Sequence, residues 1–324
     1  MLKIKGKRKP MKYINEALSS QLISHKLAFS AVSAALIAAS KQATLFPVVI
    51  AEGYSENSTF SLKSANTVNL VGWKTGSYWP SNIAKNIPCH ASTIFLLDPK
   101  TGHLDAVIEG STVNAYRTAA ADAVAVSVLA REDASCLTII GTGHQAFYEC
   151  VAVCLVRDIR SVFIVGRNSS KAQTLIKKLA DEGIHAQLKN AEDACRAADI
   201  IITATTACEA LFSAEWVKAG THISSMGADS VGKQELPVTL FDNADLFCDF
   251  SSQSVTIGEF QHGDKNTMLN KLTMIGNVLS GQEKGRKNST DITIFDSSGI
   301  AVQDLFVGQY LLNAAIDAGH LIEY

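Results

Sequence analysis

The sequence predicts an α/β protein in which a doubly wound parallel sheet is inserted into an α+β region. Three observations predict it. From about residue 112 onward, continuous apolar runs alternate with helical stretches, as strands buried on both faces alternate with crossover helices. A glycine-bearing turn, Gly141-Thr-Gly143-His-Gln-Ala146, follows the first of those runs. Before residue 110 the pattern is different, with short β-prone runs between turns.

The elements follow in order. The stretch 15–40 has a helical pattern, and "LAFSAVSAALIAAS" at 27–40 is shorter than the roughly 20 residues that span a bilayer, so it reads as a buried helix. "FPVVIAE", "STFSLKS", "TVNLVGWK", "STIFLLD" and "LDAVIEG" read as strands, the last two joined by "DPKTG" as a hairpin. "AYRTAAADAVAVSVLA" is alanine-rich and helical. Strand "CLTII" leads to a helix at 145–157, and strand "SVFIVG" to a helix at 170–182. Ser169 or Ser170 is the expected cap of that second helix and Gly183 its end. "DIIITATT", "THISSMG" and "DLFCD" continue the strand series. "DITIFDSSGIAVQDLFVGQYLLNAAIDAG" is a strand, a Ser-Gly turn and a long helix that returns to the first region.

Bulk composition narrows the function. With 324 residues and 47% hydrophobic content the chain suits about two domains. Lys and Arg total 29 against 31 Asp and Glu, which gives no global electrostatic case for nucleic acid. Lys3, Lys5, Lys7, Arg8 and Lys9 form a short basic run that reads as a solvated tail with no signal-peptide core behind it. Seven cysteines without paired spacing fit reduced thiols in a cytoplasm. Cys150 and Cys154 lie i, i+4 on a helix without further ligands nearby, so packing rather than metal is expected. No metal site and no membrane span are anticipated.

The glycine turn carries the chemistry. Gly141 permits a tight turn, Gly143 allows backbone to approach a diphosphate, and Ala146 allows close helix–strand packing. The helix behind it offers unsatisfied N–H groups and a positive dipole end. Its place between strand and helix makes it a dinucleotide loop of Rossmann type, with Gly141, Thr142, Gly143, His144, Gln145 and Ala146 as cofactor residues. The next strand ends in "VGRNSSK". No carboxylate stands there to repel a 2′-phosphate, while Arg167, Asn168 and Ser169 offer donors to one. NADPH is favoured and NADH remains possible; the alternative is that Arg167 is a surface arginine.

With these residues read, the chain resembles the ornithine cyclodeaminase/μ-crystallin family. "VNAYRTAAADAVAVSVLA" before "IIGTGHQA", then "ADIIITATT", "GTHISSMGADSVGKQEL" and "ITIFDSSGIAVQD", resemble its motifs in order along nearly the whole chain. The resemblance implies a substrate-binding and dimerisation domain at 1–120 plus 300–324, an NAD(P)-binding Rossmann domain at 121–299, and a homodimer. It implies that Lys74 and Arg117 bind the substrate carboxylate, that Asp229 exchanges a proton with substrate nitrogen, and that Thr205 and Asp229 adjoin the cofactor.

Two departures direct the substrate reading. Where the resembled cyclodeaminases carry an arginine and a glutamate, this chain has Val48 and Ser61. A diamino acid loses a charge partner there, whereas a small cyclic imine needs none. Trp73, Tyr78 and Trp79 flank Lys74 and either wall a small ring or belong to a core. The expected function is NAD(P)H-dependent reduction of Δ1-pyrroline-2-carboxylate or Δ1-piperideine-2-carboxylate to L-proline or L-pipecolate. The alternatives are an ornithine cyclodeaminase and a non-catalytic, crystallin-like NADPH binder.

Overall fold

A computed structural model describes residues 10–320 and the backbone of 322 and 323. The basic run from Lys3 to Lys9 lies outside the described residues. The chain divides into two compact units. One comprises the residues up to Leu27, Gln42–Asn114 and those from Ala301; the other is Ala28–Lys41 with Ala115–Ile300.

The first unit opens with β1 (Lys12–Ile14) and α1 (Glu16–Leu22), and α2 (His25–Lys41) follows. Next come β2 (Thr44–Leu45), β3 (Val49–Glu52), β4 (Thr59–Asn66), β5 (Val71–Tyr78), β6 (His90–Leu97) and β7 (Leu104–Glu109). β6 and β7 form the expected antiparallel hairpin. Helix α3 (Ser111–Leu129) begins here. Glu16 accepts the N–H groups of Ser111 and Thr112, each at 2.8 Å, and so caps that helix. Burial opposes its charge, but these donors outweigh burial and hold its carboxyl below the ordinary value.

The second unit is an eight-stranded sheet in which every pairing is parallel. Along the chain run β8 (Cys136–Ile140), α4 (His144–Cys154), β9 (Ser161–Val165), α5 (Ser169–Asp181), β10 (Ala186–Leu188), α6 (Ala191–Ala197), β11 (Ile200–Thr203) and β12 (His222–Ser225). Then come β13 (Ala244–Cys248), α7 (Ser251–Ile257), α8 (Lys265–Lys271), β14 (Thr273–Met274), α9 (Ile275–Leu279) and β15 (Ile292–Asp296). The spatial order is β10-β9-β8-β11-β12-β15-β13-β14. The order reverses between β8 and β11, which makes their carboxyl ends the switch point where such sheets bind ligands. Leu137, Ile139, Ile200, Ile201, Ile202, Ile223 and Ile294 are fully buried in the strands, as their continuous apolar runs require.

Helix α10 (Ala301–Asp317) and β16 (Ile322–Glu323) complete the first unit. Its sheet runs β16-β1-β7-β6-β5-β4-β2, with β3 also on β4. One face carries buried Ile94, Leu96, Ala106 and Ile108. Helix α10 lies on that face. A Cβ at Gly308 would be 3.1 Å from Ile94, and one at Gly72 would be 3.1 Å from Leu305. On the other face Trp73, Phe95, Val107 and Tyr13 form a row across four strands, each half-buried.

Two expectations are corrected. Residues 28–41 group with the inserted unit, because α2 packs there. A Cβ at Gly276 of α9 would stand 2.0 Å from the Leu36 carbonyl oxygen, and Phe29 packs against Ala119, Ala123 and Ala152. The cap of α5 is Asn168 rather than Ser169 or Ser170; its Oδ1 accepts from the Lys171 N–H at 3.0 Å. Gly183 ends that helix at φ +77, a conformation glycine adopts without cost.

Candidate active site

β8 delivers the chain to Gly141, whose φ is +136. A Cβ there would lie 2.6 Å from the Ala204 carbonyl oxygen, so the chain itself demands glycine. Gly143 is different. Its backbone is extended (φ −81), and nothing in the chain lies within 4 Å of where its Cβ would be. No contact within the chain requires Gly143 to be glycine. Helix α4 starts at the next residue with no side chain capping it, which leaves its first N–H groups directed at the same space. Ala146 is fully buried, as the third small position requires. A Cβ at Gly166 would meet Thr142 Cγ2 at 2.4 Å, so the end of β9 closes against the loop. These features fit a dinucleotide diphosphate.

Two predicted cofactor side chains are engaged elsewhere. Gln145 Nε2 donates to the Ala115 carbonyl at 3.1 Å and to Glu149 Oε1 at 2.7 Å. Asn168 is spent on capping α5. The His144 ring packs on Tyr148, centroids 4.9 Å apart. Arg167 and Ser169 stand exposed beyond β9. Behind Gln145, Asp122 and Glu149 are fully buried. Burial pushes the Asp122 carboxyl up to about 7, and burial together with Asp122 pushes Glu149 well above the carboxylate range.

The ends of β11 and β12 are held by a residue the sequence reading missed. Glu235 is fully buried, and Thr203, Thr205, Ser225 and Gly227 all donate to its carboxylate. Thr205 adjoins the glycine loop, its Cγ2 3.4 Å from where a Gly141 Cβ would be. Asp229 follows on the loop after β12, with its side chain 55% exposed and Lys233 Nζ 2.5 Å from its Oδ1.

In the first unit Lys74 is buried on the α10-facing side of β5. Its Nζ is 2.9 Å from Asp304 Oδ1 and donates to Asn114 Oδ1 at 2.9 Å. The ion pair is 7% and 2% exposed; breaking such a pair costs about 3–5 kcal/mol. Ser61 shares that sheet face, opposite Gly76, while Lys74 is opposite Lys63. Val48 falls in the break between β2 and β3 and is half-buried. Trp73 is on the opposite face, stacked on Phe95 at 5.0 Å, and so does not wall a ring beside Lys74. Tyr78 shares the Lys74 face and packs on His90 at 4.7 Å. The Trp79 ring lies over Gly53, where a Cβ would be 2.7 Å away.

Arg117, three residues beyond Asn114 on α3, belongs to the second unit. It is buried, and a Cβ at Gly299 (φ +73) would lie 2.8 Å from its Nη1. All seven cysteines are free thiols. Among the described residues, no three His, Cys, Asp or Glu side chains gather as a metal site, and no single helix is long and apolar enough to cross a membrane.

The model of the ornithine cyclodeaminase/mu-crystallin family matches residues 11–318. The iminosuccinate reductase of Paracoccus denitrificans (strain Pd 1222) is 34% identical over 303 residues, which cover 92% of this chain and 94% of that protein. Its crystal structure in complex with NAD+ has a TM-score of 0.92, at 33% identity, covering 97% of this chain and 99% of that one. An archaeal alanine dehydrogenase dimer with bound NAD has a TM-score of 0.89 at 30% identity, covering 97% and 98%. The Thermococcus litoralis Δ1-pyrroline-2-carboxylate reductase in complex with NADH and L-proline has a TM-score of 0.87 at 28% identity, covering 97% and 99%.

Proposed function

The chain belongs to the ornithine cyclodeaminase/mu-crystallin family, and from that premise we propose that it reduces the C=N bond of a small α-imino carboxylate with NAD(P)H. The observation that carries this reading is Gly143, kept bare beside the uncapped start of α4 at the sheet's switch point. The backbone from Gly141 to Ala146 would hold the diphosphate, with Thr205 beside it. Arg167 and Ser169 would receive a 2′-phosphate and favour NADPH, although the related structures hold NAD+ or NADH. The bound nicotinamide supplies the hydride. Lys74, fixed by Asp304 and Asn114, and Arg117 bind the substrate carboxylate as a point charge and a planar fork. Asp229 gives the proton that the substrate nitrogen gains. Fixed placement of the imine carbon is itself a large part of the rate.

The substrate proposed is Δ1-pyrroline-2-carboxylate or its six-membered homologue, which give L-proline or L-pipecolate. Val48 and Ser61 offer no charge to a second amine, and the Thermococcus relative holds L-proline. A second reading, an open-chain imine, is favoured by the Paracoccus iminosuccinate reductase. We also propose a homodimer. The half-buried row of Trp73, Phe95, Val107 and Tyr13, with Phe60 45% exposed on the same sheet face, is the apolar face that a second copy would cover.

The test is a panel of both cyclic imines, iminosuccinate, and pyruvate with ammonia, with oxidation of NADPH and NADH followed by absorbance. A cyclic imine should turn over fastest, with NADPH preferred. Arg167→Ala should erase that preference, and Asp229→Asn should lower kcat about 100-fold or more. Turnover of iminosuccinate alone selects the second reading; no oxidation with any imine ends both.

A further inference from the structure

The geometry points to Glu235 as the residue that positions the cofactor loop and the proton-donor loop against each other. This rests on the reading above, since it concerns the same site. Thr203 and Ser225 are the last residues of β11 and β12 and are register partners in the sheet. Thr205 and Gly227 each lie two residues farther along. Glu235 reaches all four. Its Oε1 accepts from the Thr205 N–H and hydroxyl, both at 2.7 Å. Its Oε2 accepts from the Thr203 hydroxyl at 2.8 Å, the Gly227 N–H at 2.9 Å and the Ser225 hydroxyl at 3.2 Å. One oxygen thus serves mainly the loop that carries Thr205. The other serves the loop that leads through Gly227 to Asp229.

The clamp is itself supported from behind. Glu259 accepts the backbone N–H groups of Glu235 and Leu236, at 3.0 and 2.7 Å, and shares the single Ser225 hydroxyl proton with Glu235, at 3.0 Å. Asp296, at the end of β15, accepts the Glu259 N–H at 3.0 Å. Space is closed around the contact. A Cβ at Gly227 would lie 2.6 Å from Glu235 Oε1 and 2.2 Å from the Thr205 carbonyl oxygen. There is no room for a side chain at Gly227 between Thr205 and the carboxylate, which bridges the two segments. Glu235 touches neither reacting atom; it acts through Thr205 and Asp229.

Glu235→Gln tests the idea because it keeps the shape and changes one acceptor into a donor. The hydroxyls of Thr203 and Ser225 can rotate to accept from an amide. The N–H groups of Thr205 and Gly227 cannot, so one of the two loops must move. In the full chain, E235Q should speed amide hydrogen exchange at Thr205 or Gly227 and raise the NADPH dissociation constant several-fold. With the active imine it should lower kcat about 10- to 100-fold, the scale of an ångström-level misplacement. The isotope effect with 4-deuterated NADPH should rise as hydride transfer becomes limiting. Binding and exchange need no imine, so they report on Glu235 even where every substrate in the panel fails. A folded E235Q whose exchange, NADPH affinity and kcat match the parent overturns the proposal. Should E235Q not fold, E235D keeps the charge on an arm one bond shorter. It should retain the fold and lose at least tenfold in kcat; parental kcat in E235D overturns the proposal equally.

Discussion

Asp122 and Glu149 are among the residues through which pH acts on this fold. The Asp122 carboxyl is raised by burial to about 7, against about 3.9 in an unfolded chain. The folded protein therefore holds that proton more tightly than the unfolded one. The stability it contributes is intact below about pH 4 and is lost as pH rises through about 7. Asp122→Asn mimics the protonated form and removes the titration. Its melting temperature should fall less than the parent's between about pH 4 and pH 7, and equal slopes in thermal melts would count against this. The slope is reduced rather than abolished, because burial also raises Glu259, to about 7, together with Glu235 and Asp296. None of these acids was legible as a feature in the sequence. A buried acid has the same letter as a surface one, and only the fold reveals its surroundings. Asp304 and Glu235 did stand inside quoted motifs, "IAVQD" and "GKQEL", but spacing along a chain does not show which lysine or which N–H a carboxylate meets.

At the scale of elements, the two glycines of one turn separate fold from function. Gly143→Ala adds a methyl group to open space, so its melting temperature should match the parent's while its NADPH dissociation constant rises tenfold or more. Gly141→Ala should instead destabilise the chain by about 1–3 kcal/mol through its positive φ and the clash with Ala204. Melting curves and fluorescence titrations of both variants check this; a Gly143→Ala protein that binds NADPH like the parent would remove the cradle. Strands with long apolar runs, the β6–β7 hairpin and the α4 loop were readable because burial on both faces, turn chemistry and small-residue spacing each leave a mark in sequence. Strand β10 was not. It is three residues long, and two of them, Gln187 and Leu188, are exposed. The short helices between β13 and β15 also left no periodic signal, since helices of five to seven residues span at most two turns.

For the whole molecule, the half-buried aromatic row predicts assembly. The parent should sediment as a dimer at micromolar concentration. Trp73→Glu should shift it to monomer and leave the α10-facing core intact, because Trp73 points to the other face. A dimeric Trp73→Glu protein would mean that this face is not the contact. The discontinuous first unit was anticipated from the long C-terminal helix, whereas the allegiance of α2 was not. An apolar helix is equally at home in either core, and the glycine contact that anchors it lies some 240 residues downstream along the chain, at Gly276.

The pairing of Lys74 with Asp304 also has a meaning for biosynthesis. The two partners are separated by 230 positions. On the ribosome the second unit is fully synthesised when Ile300 is added, while the β-sheet that surrounds Lys74 still lacks both Asp304 and helix α10. A chain synthesised only as far as Ile300 lacks Asp304, so the buried Lys74–Asp304 ion pair forms only after α10 has been made.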